Sequence, residues 1–267
     1  MKVAFIGCGV MGEAILKSLL AKKLVSAKEV TVSDASQSRC QLISQRYGIS
    51  CIQDNCKAIA KKDVIVLAIK PQNLGEVAAE LKGRFAQQQL VISILAGANL
   101  TDLMQGLGHN NVVRSMPNTP AQIGQGMTAW TSSSKLSQAH QEATKAILGS
   151  LGKEIYLSEE KYIDMATAVS GSGPAYVFLF IEAFIDAAVH VGLSRQVANE
   201  LVLQTVLGSA QLAVESGKHP AELRNMVTSP GGTTAEGLLS LEKGGMRALL
   251  TQAVIEAHQK SIRLRQK

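Results

Sequence analysis

The sequence predicts an α/β protein, in which a doubly wound parallel sheet over residues 1–158 precedes an all-helical domain over residues 159–267. Two observations predict this division. Short apolar segments alternate with amphipathic ones up to about residue 158, as strands alternate with helices around a parallel sheet. Beyond that point strand-like segments stop, and apolar residues recur every three or four positions, as on a helix face.

The predicted strands of the first half are short and apolar. The strongest is residues 63–69, which is apolar on both faces, as in a central parallel strand that helices cover on both sides. In chain order, strands are predicted at residues 3–7, 29–34, 48–52, 63–69, 90–95, 111–116, 126–130 and 154–157. Helices are predicted over residues 13–23, 36–47 and 137–149.

The second half begins with a helix at residues 175–193 that is apolar on most sides. Such a helix has to be buried nearly all round, which one small helical half can hardly achieve alone. We therefore expect it to pack against a second copy, so that the helical half forms a homodimer. Further helices are predicted after Ser194, from Pro220, over 234–243 and over 245–267.

Composition excludes several classes of function. Charged residues make up 18% of the chain, which is typical of a globular protein, and the +6 net charge comes without aromatic residues interleaved among the basic ones, which argues against nucleic-acid binding. The cysteines form no CxxC pair, so we expect no metal site and a reducing, cytoplasmic location. No signal peptide is expected, and Glu182, Asp186 and His190 place a polar stripe on the apolar helix, which argues against a membrane span.

A glycine motif lies between the first predicted strand and the first predicted helix. Gly7, Gly9 and Gly12 have the spacing GxGxxG. In this context the first glycine permits a tight turn, the second lets the backbone approach a pyrophosphate, and the third lets helix pack on strand. The motif therefore predicts a dinucleotide site, and the alternative is a plain glycine-rich turn.

Asp34 ends the second predicted strand. An acid at this position accepts from the ribose 2′-hydroxyl of NADH and repels the 2′-phosphate of NADPH. Against that, Ser33, Ser36, Ser38 and Arg39 could donate to a 2′-phosphate, and Asp34 could instead cap the following helix. These residues leave the choice between NADH and NADPH open.

Three further loops have chemical potential. Lys70, before Pro71, ends the central strand, where it could act as an acid, contact a cofactor or be solvated. Residues 116–120, Met-Pro-Asn-Thr-Pro, form either a structural turn or a polar one near the ligand. Residues 170–174, Ser-Gly-Ser-Gly-Pro, open the apolar helix as either an anion site or an interdomain hinge.

A second glycine loop, residues 229–234, opens another helix with backbone N–H groups and hydroxyls suited to a small carboxylate. The histidines lie outside these loops, and the sequence shows neither a Ser–His–Asp pattern nor paired carboxylates. The chemistry is therefore expected to be hydride transfer by the cofactor, with the protein supplying position and electrostatics.

Taken together, these segments resemble the pyrroline-5-carboxylate reductase family over nearly the whole chain. The matching segments, in the family's order, are residues 5–12, 68–71, 116–120, 170–178 and 219–234. The last two are far more specific than the glycine motif. One departure is Asp34, where many relatives carry Ser, Thr or Asn, and it puts the family's usual NADPH preference in question.

The resemblance implies a Rossmann-type domain, a helical dimerisation domain, and dimers that assemble further. It implies that NADPH, or NADH, reduces the imine carbon of 1-pyrroline-5-carboxylate in the last step of proline biosynthesis. Together with the glycine motif, it predicts cofactor contacts at Gly7, Gly9, Val10, Met11, Gly12, Ser33, Asp34, Asn55, Ala68, Lys70, Pro71, Ala96 and Gly97. The substrate carboxylate is expected on Ser229, Gly231, Gly232, Thr233 and Thr234, with Thr234 bonded to the ring nitrogen as the catalytic residue.

Two other functions compete with this interpretation. A β-hydroxyacid dehydrogenase shares the two-domain layout, but it would need a lysine acid–base on the helical half, where none of the lysines lies in a glycine loop. A nucleotide-sensing protein would bind the cofactor without turnover.

Overall fold

The computed structural model describes residues 1–133 and 136–265. Its first feature is an eight-stranded sheet, counted over these described residues, in the order β3-β2-β1-β4-β5-β6-β7-β8. The strands are β1 Val3–Ile6, β2 Val30–Ser33, β3 Ser50–Ile52, β4 Val64–Leu67, β5 Leu90–Ser93, β6 Val112–Met116, β7 Gly126–Ser132 and β8 Gly152–Tyr156. Every strand was predicted within a few residues of these bounds.

The sheet is mostly parallel, as predicted, with one exception. β7 runs antiparallel to β6, while β7 and β8 are parallel to each other. Only residues 117–125 join β6 to β7, and they contain a short 3₁₀ turn, Thr119–Ile123. A parallel crossover needs a dozen residues or more, so this connection can only reverse the chain.

Helices cover both faces of the sheet. One face packs against α1 Val10–Ala21, α2 Gln37–Tyr47 and α6 Gln138–Gly149, and the other against α3 Asn55–Ile59, α4 Leu74–Leu81 and α5 Leu100–Leu107. Neighbours along a strand alternate between the two layers, so Phe5 joins the first core and Ile6 the second. This is the predicted doubly wound arrangement. The three helices of the second face were not predicted, since they are short and offer few repeats of the helical pattern.

The remainder is helical. It comprises α7 Lys161–Ala166, a π-helical segment Thr167–Gly171, α8 Gly173–His190, α9 Arg195–Ser216, α10 Pro220–Met226, α11 Thr233–Lys243 and α12 Met246–Arg265. Ser194 caps α9 and Pro220 starts α10, as predicted. The last predicted helix extended to residue 267, and residues 266 and 267 lie outside the described residues. The prediction of a loop at residues 170–174 is wrong, because the π-helical turn continues α7 into α8.

The described chain forms two compact units. Residues 1–172 and the chain from residue 257 onward form the first, and residues 173–256 form the second. In the second unit α8 leaves large apolar side chains exposed, among them Phe178 and Leu179. A surface of this kind marks contact with a partner or a membrane. The continuous helix over residues 161–190 is long and apolar enough to cross a membrane, but one such helix is only weak evidence for a membrane span.

Candidate functional site

The glycine motif joins β1 to α1 as the sequence predicted. Gly7 has φ +81°, and a Cβ there would lie 2.8 Å from the carbonyl oxygen of Ala68. A Cβ on Gly12 would lie 3.1 Å from the Cβ of Ala68, so both glycines allow α1 to approach β4. Gly9 differs, because a Cβ there would meet no described atom within 4 Å. Its open side, next to the unpaired N–H groups at the start of α1, fits a pyrophosphate.

A crevice of about 350 Å³ lies at the carboxyl ends of β1, β2 and β4. Open α/β sheets bind ligands at this edge. Among the predicted cofactor contacts, the crevice brings together Gly7, Gly9, Ser33, Asp34, Asn55, Ala68 and Lys70. Val10 lines a neighbouring cleft, and the crevice lining does not include Met11, Gly12, Pro71, Ala96 or Gly97. Two carboxylates that the sequence analysis missed, Glu76 and Glu80, also line it from α4.

Asp34 binds two backbone N–H groups. Its Oδ2 accepts from the N–H of Cys8 at 2.9 Å and its Oδ1 from the N–H of Ser36 at 3.0 Å. The helix cap itself is Ser36, whose hydroxyl accepts from the N–H of Arg39, so the alternative of Asp34 as cap of α2 is wrong. Asp34 therefore lies in the crevice and also fixes the glycine loop. Burial raises the pKa of the neighbouring Cys8 thiol to about 12, so this cysteine stays protonated.

Asn55 reaches the crevice from the start of α3. Its side-chain amide donates to Glu80 Oε2 at 2.7 Å, which fixes the direction of the amide. Asp54, Cys56 and Glu80 form a group of possible metal ligands among the described residues. Asp54 already caps α3 through the N–H of Lys57 and pairs with the Lys57 ammonium at 3.1 Å. Asp54 and Glu80 therefore already have partners in the protein, and the cluster is explained by these local contacts without a metal ion.

Lys70 is exposed and precedes the 3₁₀ turn that begins at Pro71. The turn at Ala96 and Gly97 follows β5 and packs against the last helix, since a Cβ on Gly97 would lie 3.1 Å from the Cβ of Leu264. The end of α12 therefore supports the segment where the nicotinamide was predicted.

A buried ion network holds the end of α12 in the first unit. Arg114 of β6 is almost fully buried and pairs with Glu160 at 2.9 Å and Asp164 at 2.7 Å. The hydroxyl of Ser261 donates to Asp164 at 3.2 Å. The sequence carried a signal that was missed, namely a charged residue inside an apolar strand, which a buried partner has to neutralise.

Asn118 of the Met-Pro-Asn-Thr-Pro segment is structural. Its amide donates to the carbonyl of Ser170 at 3.2 Å, and its Oδ1 accepts from the N–H of Met127 at 2.8 Å. The bond to Ser170 joins the turn after β6 to the π-helical segment.

The second glycine loop precedes α11 in the second unit. The chain turns tightly, with φ +66° at Gly231 and a bond from the N–H of Gly232 to the carbonyl of Ser229 at 3.1 Å. Gly232 is the N-cap of α11 and makes no side-chain hydrogen bond there. Thr233 and Thr234 occupy the first turn of the helix. Thr234 is half-buried and Thr233 is exposed. A helix start of this kind offers backbone donors to a carboxylate.

Comparison with known families matches both parts of the chain. Residues 160–264 match the model described as pyrroline-5-carboxylate reductase dimerisation. Residues 2–97 match the model described as NADP oxidoreductase coenzyme F420-dependent.

Individual relatives match over the full length. The chain is 42% identical to the pyrroline-5-carboxylate reductase of Synechocystis sp. over 267 residues, covering 100% of this chain and 99% of the relative. The solved pyrroline-5-carboxylate reductase of Coxiella burnetii is 34% identical, with a TM-score of 0.91 and 98% of each chain covered. The Plasmodium falciparum pyrroline carboxylate reductase, solved with NADP bound, is 34% identical with a TM-score of 0.90, covering 99% of this chain and 98% of that one.

Proposed function

This chain belongs to the pyrroline-5-carboxylate reductase family and reduces 1-pyrroline-5-carboxylate to proline with NAD(P)H, and we propose that its two halves each bind one of the ligands. Residues 1–158 form the dinucleotide-binding domain, and residues 159–267 form the substrate-binding and dimerisation domain. With membership in this family established, the β-hydroxyacid dehydrogenase alternative loses its support.

The cofactor site of this proposal is the crevice at the carboxyl ends of β1, β2 and β4. The open side of Gly9 is the observation that carries it, because it leaves room for a pyrophosphate beside the first N–H groups of α1. Asn55 and Asp34 hold the adenosine end. Lys70, Pro71, Ala96 and Gly97 lie beside the nicotinamide. When bound, the reduced nicotinamide supplies the hydride for the imine carbon.

The substrate site of this proposal is the loop 229–234. Its backbone N–H groups bind the carboxylate of the cyclic imine, where the α11 dipole favours negative charge. The hydroxyl of Thr234 accepts a hydrogen bond from the protonated ring nitrogen and orients the ring. A cyclic imine is basic enough to arrive protonated, so the protein needs no strong acid, which agrees with the histidines lying outside both loops.

Thr234→Ala tests this assignment. A hydrogen bond to a charged group contributes about 1.5–3 kcal/mol, so kcat/KM for the imine substrate should fall by about 10- to 100-fold. The assay follows NADPH absorbance at 340 nm together with proline formation. Thr251→Ala is the matched control, since the Thr251 hydroxyl donates within its own helix, to the carbonyl of Arg247 at 2.9 Å. Full activity of Thr234→Ala would show that another group orients the ring.

The dimerisation match over residues 160–264 makes the chain a homodimer. We propose that α8 forms the interface and that dimers assemble into a larger oligomer, because α9 and α12 also expose apolar side chains such as Leu207 and Leu249. The molar mass from light scattering tests this. We place the enzyme in the cytoplasm, since all four cysteines, which lie within the described residues, are free thiols.

A further inference from the structure

We propose that Arg39 is a positioning residue for the cofactor, because its side chain fixes the glycine loop through the carbonyl of Cys8. The proposal rests on the cofactor site proposed above. It predicts that Arg39 contributes equally to the binding of NADPH and NADH.

The backbone of Cys8 is held on both sides. Arg39 Nε donates to the carbonyl oxygen of Cys8 at 2.6 Å, and the N–H of Cys8 donates to Asp34 Oδ2 at 2.9 Å. Cys8 lies between the first two glycines, whose backbones have wide conformational freedom. The two charged side chains therefore restrict a segment that its own sequence leaves free.

Arg39 is itself held in place. Its Nη2 pairs with Glu13 Oε2 at 2.5 Å, and the other oxygen of Glu13 accepts from Arg46 at 2.5 Å and from the hydroxyl of Tyr47 at 2.8 Å. Burial raises the pKa of Glu13, but the hydrogen bonds from Tyr47, Arg39 and Arg46 outweigh burial and lower it. Glu13 is therefore ionised at neutral pH and keeps the guanidinium over Cys8.

This anchor lies outside the crevice that Asp34 lines. Arg39, Glu13, Arg46 and Tyr47 line a neighbouring cleft of about 640 Å³ beside the start of α1, and Gly9 lines both this cleft and the crevice. In this arrangement the Arg39 guanidinium already binds the Cys8 carbonyl and the Glu13 carboxylate. A loop ordered before binding loses less conformational entropy when the ligand arrives, which increases affinity. The pyrophosphate that the loop would bind is common to NADH and NADPH, whereas the 2′-phosphate belongs to NADPH alone.

Arg39→Ala tests the proposal on the purified full chain. Dissociation constants for NADPH and NADH, from fluorescence titration without substrate, should both rise about tenfold, the effect of losing a charge-assisted hydrogen bond. The KM values for the two cofactors should rise in parallel, while the KM for the imine substrate stays within about twofold of the wild type. Arg39→Lys keeps the charge but cannot span both partners, so its losses should be about threefold for both cofactors.

Arg46→Ala is the matched control, because Arg46 pairs with the same Glu13 carboxylate and makes no hydrogen bond to Cys8. Its dissociation constants should stay within twofold of the wild type.

Three outcomes would overturn the role of Arg39. If the affinity of Arg39→Ala falls for NADPH alone, Arg39 binds the 2′-phosphate instead. If neither dissociation constant changes, Arg39 does not position the loop. If Arg46→Ala loses affinity equally, the effect is a general destabilisation. If Arg39→Ala does not fold, Arg39→Lys decides by the same comparison. A wild-type chain that bound neither cofactor would instead overturn the cofactor site itself.

Discussion

Asp34→Asn should shift the enzyme's cofactor preference toward NADPH. Asp34 is half-buried at the end of β2 and lines the crevice where the adenosine ribose is proposed. A 2′-phosphate carries a charge of about −1.5 to −2. At about 5 Å and an effective dielectric constant of about 40 to 80, its repulsion from a carboxylate is roughly 1 to 3 kcal/mol. NADH also loses a charged acceptor for its 2′-hydroxyl, worth about 1 kcal/mol.

Together these effects amount to about 2 to 4 kcal/mol and predict a rise of about 30- to 900-fold in the ratio of kcat/KM for NADPH to that for NADH. The ratio is the appropriate observable because Asp34 also binds two backbone N–H groups. Asparagine can accept from only one of them with its single side-chain oxygen, so the loop weakens. That cost affects both cofactors alike and cancels in the ratio.

The assay measures initial rates at 340 nm with each cofactor while the concentration of the imine substrate is held fixed. Asp63→Asn is the control, since Asp63 also accepts a backbone N–H, that of Lys2 at 2.7 Å, but at the opposite end of the sheet. Its ratio should match the wild type. A change of less than threefold in Asp34→Asn, or an equal fall with both cofactors, would refute the electrostatic reasoning and reduce Asp34 to a support of the loop.

Two further predictions concern stability. Gly7→Ala should lower the free energy of unfolding by about 1–3 kcal/mol, because the positive φ and the nearby Ala68 carbonyl both oppose a Cβ at this position. Gly75→Ala in α4 should instead raise it by about 0.5–1 kcal/mol, because a Cβ there would meet no described atom within 4 Å and alanine favours the helix. Urea unfolding measures both, and equal effects would contradict the role of Gly7. Because the pKa of Glu13 is lowered in the folded state, its carboxylate stabilises the fold at pH values above the ordinary pKa of 4.5, and this stabilisation is lost as the pH falls below it. The difference in unfolding free energy between the wild type and Glu13→Gln should therefore shrink as the pH is lowered from 7 to about 3.5. A gap that stays constant over that range would show that the Glu13 carboxylate is not the group responsible.

The sequence predicted those parts of the fold whose signals are local. The central strands β1, β4 and β5 are short runs of mostly apolar residues, and the glycine motif lies within six residues, so both could be located before any tertiary contact was known. The turn at residues 170–174 was misread because its glycines and serines are typical of loops. In the structure Asn118 donates to the carbonyl of Ser170, which has no ordinary helical partner because Pro174 lacks an N–H group. That partner lies 52 residues away, and no local pattern contains it.

The candidate site shows the same division. Asp34 and the glycines were found from their spacing. The contact of Arg39 with Cys8 spans 31 residues, and its anchor on Glu13 spans 26. The sequence offered Arg39 as one of four possible donors to a 2′-phosphate, and a free guanidinium does prefer an anion. The structure shows that this preference is met by Glu13, which the sequence places on a helix face without any sign of its partner.

The two charged residues around Cys8 therefore separate two properties of the cofactor site. Asp34 lies in the crevice, where we propose that its charge acts on the one group that differs between NADPH and NADH. Arg39 approaches the same residue from the other cleft, where its charge is neutralised by Glu13 before any ligand binds. A substitution at position 34 can then change the choice of cofactor while the loop keeps part of its support, because Arg39 continues to hold the Cys8 carbonyl. This arrangement explains how a carboxylate can occupy the end of β2 without loss of the proposed pyrophosphate site.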